Sequence, residues 1–153
     1  MIYQVTGIGE IEIKTIVLDL NGTLSVKNII PEGVKERLTT LKEMGFKVIL
    51  FTGDQRGTAA EMSANLGIEF FKAKTSDEKE ELFLKLDTET TAAIGNARID
   101  LGKFKHAKVS IATLQAEGIH TGILPFVDVI VPSINDALDF FIDKDIFGAT
   151  MRT

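Results

Sequence analysis

Residues 17–25 read VLDLNGTLS. The apolar run TIVLDL, residues 15–20, predicts a strand covered on both faces, as in a parallel sheet. It ends in Asp19, and Asn21-Gly22-Thr23 follows as a turn. A carboxylate at the mouth of a buried strand, beside main-chain amides and a hydroxyl, suits phosphate chemistry. An ordinary strand end is the alternative, because Asp, Asn and Gly are common there. Asn21 stands where a working acid would be useful, and an amide cannot transfer a proton.

The rest of the chain alternates strand and helix patterns. IYQV and IEIK flank a Gly turn and predict a hairpin over residues 1–14. PEGVKERLTTLKEMG, residues 31–45, predicts a helix with Val34, Leu38 and Leu41 on its inner stripe. KVILFTG, IEFF, TTAAIGN, KVSIAT and VDVIV predict further strands. TAAEMSANLG, SDEKEELFLKL with Ser76 as cap, RIDLGKFKHA and SINDALDFFID predict further helices. Such alternation implies an α/β class: an open, mostly parallel sheet with helices on both faces. The expected organisation is one domain, with an N-terminal β extension (1–14), a core (15–142) and a C-terminal tail (143–153).

Composition limits the function classes. The 153 residues carry a net charge of −5, which argues against a nucleic-acid partner. There are no cysteines, so disulfides and thiolate metal sites are excluded. No signal peptide and no membrane span are expected, and the predicted location is the cytoplasm. His106 and His120 lack companions at metal-ligand spacing, so zinc is not expected.

In an open α/β sheet, ligands bind beyond the carboxyl ends of the strands. Those ends carry Asp19, Asn21, Gly22 and Thr23, then Thr52, Gly53 and Asp54, then Gly95, Asn96 and Asp100. Lys79 lies on the helix before the last of these strands, and Lys72 and Lys74 compete with it. A carboxylate can attack phosphorus, and hydroxyls, amides and a lysine can hold the phosphoryl oxygens. A second acid can join the first in holding Mg²⁺.

VLDLNGTLS, VILFTGD, Lys79 in SDEKEEL and AAIGNARID, in this order over residues 15–113, resemble the four motifs of the haloacid dehalogenase (HAD) superfamily. VDVIVPSINDALDFF continues the likeness, which looks closest to the small soluble P-type ATPase-like HAD hydrolases. The resemblance implies a Rossmann-like HAD core and an Mg²⁺-dependent phosphohydrolase, with Asp19 as the phosphorylated nucleophile. It implies Asp19, Thr52 and Lys79 as catalytic residues. Asn21, Gly22, Thr23, Thr52, Gly53 and Lys79 would bind phosphate, and Asp19, Asn21, Asn96 and Asp100 would bind the metal, Asn21 through its main-chain carbonyl.

Two departures stand out. HAD phosphatases usually carry an aspartate at the position of Asn21, and general acid–base catalysis typically contributes ~10²- to 10⁴-fold. A slow enzyme, or one limited to good leaving groups, is therefore expected. Asn96 also replaces a common aspartate, which should weaken Mg²⁺ binding. The alternatives are an inactive phosphate- or partner-binding module and, more weakly, a receiver-like phospho-switch. Residues 24–47 and 80–91 leave no room for a large cap, so the site should be open to a phosphorylated small molecule or macromolecule, or be closed by a second copy in a homo-oligomer.

Overall fold

In β3 (Thr15–Asp19), Ile16 and Leu18 enter one apolar cluster and Val17 enters another. The same two-residue alternation recurs in β4 (Lys47–Thr52), where Val48 and Leu50 oppose Ile49 and Phe51. A strand buried on both faces needs cover on both, and helices supply it. The structure, a computed structural model, describes residues 1–54 and 57–153.

Six parallel strands form the main sheet in the order β5-β4-β3-β6-β7-β8. The remaining four are β5 (Glu69–Lys72), β6 (Thr91–Gly95), β7 (Val109–Thr113) and β8 (Val129–Val131). One face is covered by α1 (Val34–Glu43), α2 (Ala59–Leu66), α5 (Ile134–Ile142) and α6 (Lys144–Met151). The other packs on Phe83 of α3 (Ser76–Phe83), Phe104 of α4 (Leu101–Phe104) and Ile123. This is the expected open parallel sheet, and the described residues form no large cap.

The chain lays β4 and β5 on one side of β3, then returns to place β6 on the other. The strand order therefore reverses between β3 and β6, and a crevice opens beyond their carboxyl ends. Asp19, Thr52 and Gly95 all end strands at that edge.

The N-terminal hairpin pairs β1 (Ile2–Val5) with β2 (Gly9–Glu12), two residues earlier than IEIK implied. Residues 143–153, expected as a tail, instead carry α6. Its buried Phe147 stacks on Tyr3 with ring centroids 3.8 Å apart, and the Tyr3 hydroxyl donates to the Phe141 carbonyl at 2.6 Å. A second correction concerns α3: Thr75, not Ser76, is its cap, accepting from the Glu78 amide at 3.1 Å. The Ser76 hydroxyl accepts from the Gly102 amide instead and ties α3 to α4. Among the described residues, no helix is long and apolar enough to cross a membrane.

Candidate active site

Asp19 is 6% exposed at the end of β3, and Lys79 reaches it from the first turn of α3. The Lys79 Nζ donates to Asp19 Oδ1 at 2.5 Å and to Asp100 Oδ1 at 3.0 Å. Of the three candidate lysines, Lys79 alone is buried; Lys72 and Lys74 are exposed, although Lys74 lines the pocket above. The first turn of α3 thus carries exposed Asp77 and Glu78 beside a fully buried lysine.

Asp100 lies beneath this pair and is fully buried. Its Oδ1 accepts from Lys79 and from Lys103, the latter at 2.9 Å. Its Oδ2 accepts from the amides of Asn96 (3.0 Å) and Ala97 (3.1 Å). A carboxylate offers about four lone-pair sites, and four donors fill them. Asp100 thus braces the lysines and the β6 turn. Gly95 permits the close approach, because a Cβ there would collide with the Asp100 carboxylate.

Asn96 is committed too. Its Oδ1 accepts from the Thr23 hydroxyl at 3.2 Å, and its Nδ2 donates to the Gly118 carbonyl at 2.9 Å. With both ends of its amide engaged, it anchors the loop after β7 to the turn after β3. The amides of Gly22 and Thr23, residues expected to hold phosphate, bond within their own turn. The Gly22 amide donates to the Ser25 carbonyl at 2.8 Å and the Thr23 amide to Leu20 at 3.4 Å. Gly22 has φ 75°, and a Cβ there would lie 2.6 Å from Glu117 Oε2 and 2.7 Å from Asn96 Nδ2, so the turn and the close approach both favour glycine.

Thr52 is buried, and its hydroxyl accepts from the Asp54 amide at 3.1 Å, leaving its O–H to donate. The Asp54 carboxylate accepts from the amides of Thr58 and Ala59 at the start of α2, as a turn acid should.

A cavity of about 630 Å³ opens above Asp19. Asn21, Gly53 and Lys79 line it, as do three residues without a motif: Lys27, Asn28 and Glu117. Lys27 and Asn28 are the central residues of a two-residue turn, with φ 50° and 64°, closed by paired main-chain bonds between Val26 and Ile29. Both φ values are positive, as in the type I′ turns that join tight hairpins. Arg98 lines a neighbouring hollow instead.

The electrostatics follow from burial. Burial, with the nearby Asp100 charge, pushes the Asp19 carboxyl above its ordinary range, against the pull of Lys79 and Lys103. Burial acts the same way on Asp100, but Lys103 and Lys79 overcome it and hold that carboxyl below its ordinary range. Lys79 is penalised by burial, yet the carboxylates of Asp100 and Asp19 keep its ammonium charged to higher pH than usual. Burial lowers Lys103, with Asp100 opposing.

The fold that carries this buried aspartate has counterparts among solved structures. The chain superposes on 3-deoxy-D-manno-octulosonate 8-phosphate phosphatase from Moraxella catarrhalis, solved with magnesium ion, phosphate ion and KDO. The TM-score is 0.71 at 20% identity, covering 90% of this chain and 92% of that one. A Legionella pneumophila protein assigned to the HAD superfamily (subfamily III A) gives a TM-score of 0.69 at 19% identity, covering 90% and 86%. The fold is that of the HAD hydrolases. The cobalt-bound deoxy-D-mannose-octulosonate 8-phosphate phosphatase of Haemophilus influenzae shares the HAD fold, with a TM-score of 0.70 at 20% identity over 93% and 94%. No protein-family model matches the chain.

Sequence reasoning missed two residues of this HAD-fold site. Lys103 sits three residues after Asp100 at the helix beginning there, a spacing that places both on one face and was legible in principle. Glu117 belongs to a loop after β7 and carries no local signal. Among the described residues, no three His, Asp or Glu side chains are gathered to hold a metal ion unaided. The pocket wall instead offers the oxygens of Asp19, Asn21 and Glu117. An all-oxygen set of one or two carboxylates, completed by water and phosphate oxygens, fits Mg²⁺.

Proposed function

We propose that the protein is a phosphohydrolase that passes a phosphoryl group from an ester or acyl phosphate to Asp19 and then to water. The observation that carries this reading is the Lys79–Asp19 pair, 2.5 Å apart and buried, at the floor of a solvent-reached pocket at the sheet's switch point. A carboxylate oxygen of Asp19 bonds to phosphorus as the ester P–O bond breaks, its electron pair leaving with the alcohol oxygen. Water then attacks phosphorus, freeing phosphate and the Asp19 carboxylate. Lys79 offsets negative charge on Asp19 and on the phosphoryl group, and Thr52 with the Gly53 amide donates to its oxygens.

Mg²⁺ belongs to this reading: Asp19, the Asn21 carbonyl and Glu117 would hold it, and it would neutralise charge on the phosphoryl oxygens. Solved structures of the same fold, with magnesium and phosphate in one of them, support Mg²⁺ as the metal. Asn21 cannot protonate the leaving oxygen, so good leaving groups and acyl phosphates are the favoured substrates. The open pocket and the fold's likeness to sugar-acid phosphate phosphatases favour a small phosphorylated substrate.

The test is turnover of aryl and acyl phosphates with Mg²⁺, together with beryllofluoride binding at Asp19. Turnover lost in Asp19→Asn, with the fold intact, is the expected result. Beryllofluoride binding without turnover would leave a phosphate-binding module. Neither binding nor turnover would end the reading.

A further inference from the structure

The proposed chemistry uses one buried lysine, yet the site holds two. Lys103 is fully buried on α4. Its Nζ lies 2.9 Å from Asp100 Oδ1 and donates to the Ile94 carbonyl of β6 at 2.7 Å. The same Asp100 oxygen accepts from Lys79. An ammonium is costly to bury, so a second one beneath a carboxylate already served by Lys79 calls for an account.

Charge balance supplies it. Asp19, Asp100, Lys79 and Lys103 together are neutral when all are ionised. With Lys103 removed, two carboxylates would share one ammonium, and Asp100 would compete with Asp19 for Lys79. The competition sharpens during reaction. Once Asp19 bonds to phosphorus its carboxylate charge is gone, and the remaining anionic oxygens lie further out, on the phosphoryl group. Lys79 has to follow that charge while Asp100, buried and immobile, pulls it back. We infer that Lys103 is a positioning residue: by neutralising Asp100 and tying it to β6, it leaves the Lys79 ammonium to serve Asp19 and the phosphoryl group it receives. This rests on the Asp19 phosphoryl-transfer reading.

Lys103→Gln keeps a donor for Ile94 and drops the charge, whereas Lys103→Met drops both. In either variant that folds, kcat for an aryl phosphate should fall about 10- to 100-fold with KM within about twofold, and beryllofluoride should bind correspondingly more weakly. In a Lys79→Gln background, adding Lys103→Gln should cost little further, because Lys103 acts through Lys79. A purely structural role predicts a lower unfolding midpoint with kcat intact below it; that result, or additive losses in the double variant, overturns the inference. If neither Lys103 variant folds, ¹H–¹⁵N spectra of the lysine ammonium groups in the wild-type protein decide. On adding beryllofluoride the Lys79 signal should shift while that of Lys103 stays protected, and a shift centred on Lys103 overturns the assignment. Should wild-type protein neither turn over nor bind beryllofluoride, the phosphohydrolase reading itself fails; intact kcat in the Lys103 variants removes only this inference.

Discussion

The side-chain amide of Asn96 donates to the Gly118 carbonyl at 2.9 Å, and the Asn96 carbonyl accepts from the His120 amide at the same distance. Two bonds thus staple the loop after β7 to the end of β6, and that loop carries Glu117 over Gly22. An aspartate at position 96 would lose the donor and set a carboxylate against the Gly118 carbonyl. Asn96→Asp should therefore lower stability by about 1–3 kcal/mol. It should also tighten Mg²⁺, by adding a negative charge close to Glu117. Thermal unfolding without Mg²⁺ and calorimetric Mg²⁺ titration read the two effects separately, and a variant as stable as wild type would contradict the stapling role.

Glu117 supplies a carboxylate at the pocket wall that position 96 does not. Glu117→Gln should weaken Mg²⁺ binding about tenfold while leaving thermal stability unchanged, because the side chain is exposed. Equal Mg²⁺ affinity in the two proteins would remove Glu117 from the ligand set.

Asp19 and Asp100 are displaced in opposite directions from an ordinary value of 3.8. On acidification of the metal-free protein, Asp19 should take up its proton above that value. Asp100 stays ionised, and its contribution to stability, full above 3.8, declines only as pH falls below it towards its depressed native value. Carboxyl ¹³C resonances followed alongside ellipticity should show Asp19 titrating while the fold persists. Loss of both in one step would contradict this order.

Asn21 lines the pocket beside Asp19 but holds no transferable proton. Asn21→Asp should raise kcat on alkyl phosphates by ~10²-fold or more and change aryl phosphate turnover far less. A uniform change across leaving groups would show that the position does not serve proton transfer.

Lys27 stands at the tip of the Val26–Ile29 turn, exposed and apart from the buried charge cluster. Lys27→Ala should raise KM for anionic substrates several-fold with kcat little changed, the signature of a binding contact made equally in ground and transition states. A fall in kcat at constant KM would place Lys27 in the chemistry instead.

The hairpin and α6 meet through Tyr3 and Phe147. Phe147→Ala should cost about 3–5 kcal/mol by opening a cavity under Tyr3, and Tyr3→Phe about 1 kcal/mol by orphaning the Phe141 carbonyl. Denaturant unfolding measures both.

Local pattern was enough for much of this protein. The double-sided apolar runs at Ile16–Leu18 and Val48–Phe51 require a sheet with cover on both faces, and alternation with helices makes that sheet parallel. Because strand ends carry the ligands in such a sheet, Asp19 and Thr52 were legible at the site edge. The α6 helix was not, since KDIFGATM has a single deeply buried side chain, Phe147, and its partner Tyr3 is at the other end of the chain.

Local pattern therefore sets the sheet, its ligand-bearing edge and the residue types available there. Their division of labour was decided only by tertiary structure. Lys79 outranks Lys72 and Lys74 because α3, packed on α4, brings that one lysine of the three, buried, onto Asp19 at the end of β3. Asp100 and Asn96 make the bonds they do because Lys103 and Gly118 are there to receive them. A residue's type sets which bonds it can make; which of those bonds is made depends on partners brought close by folding, and Glu117 faces Gly22 across 95 residues of chain for that reason alone.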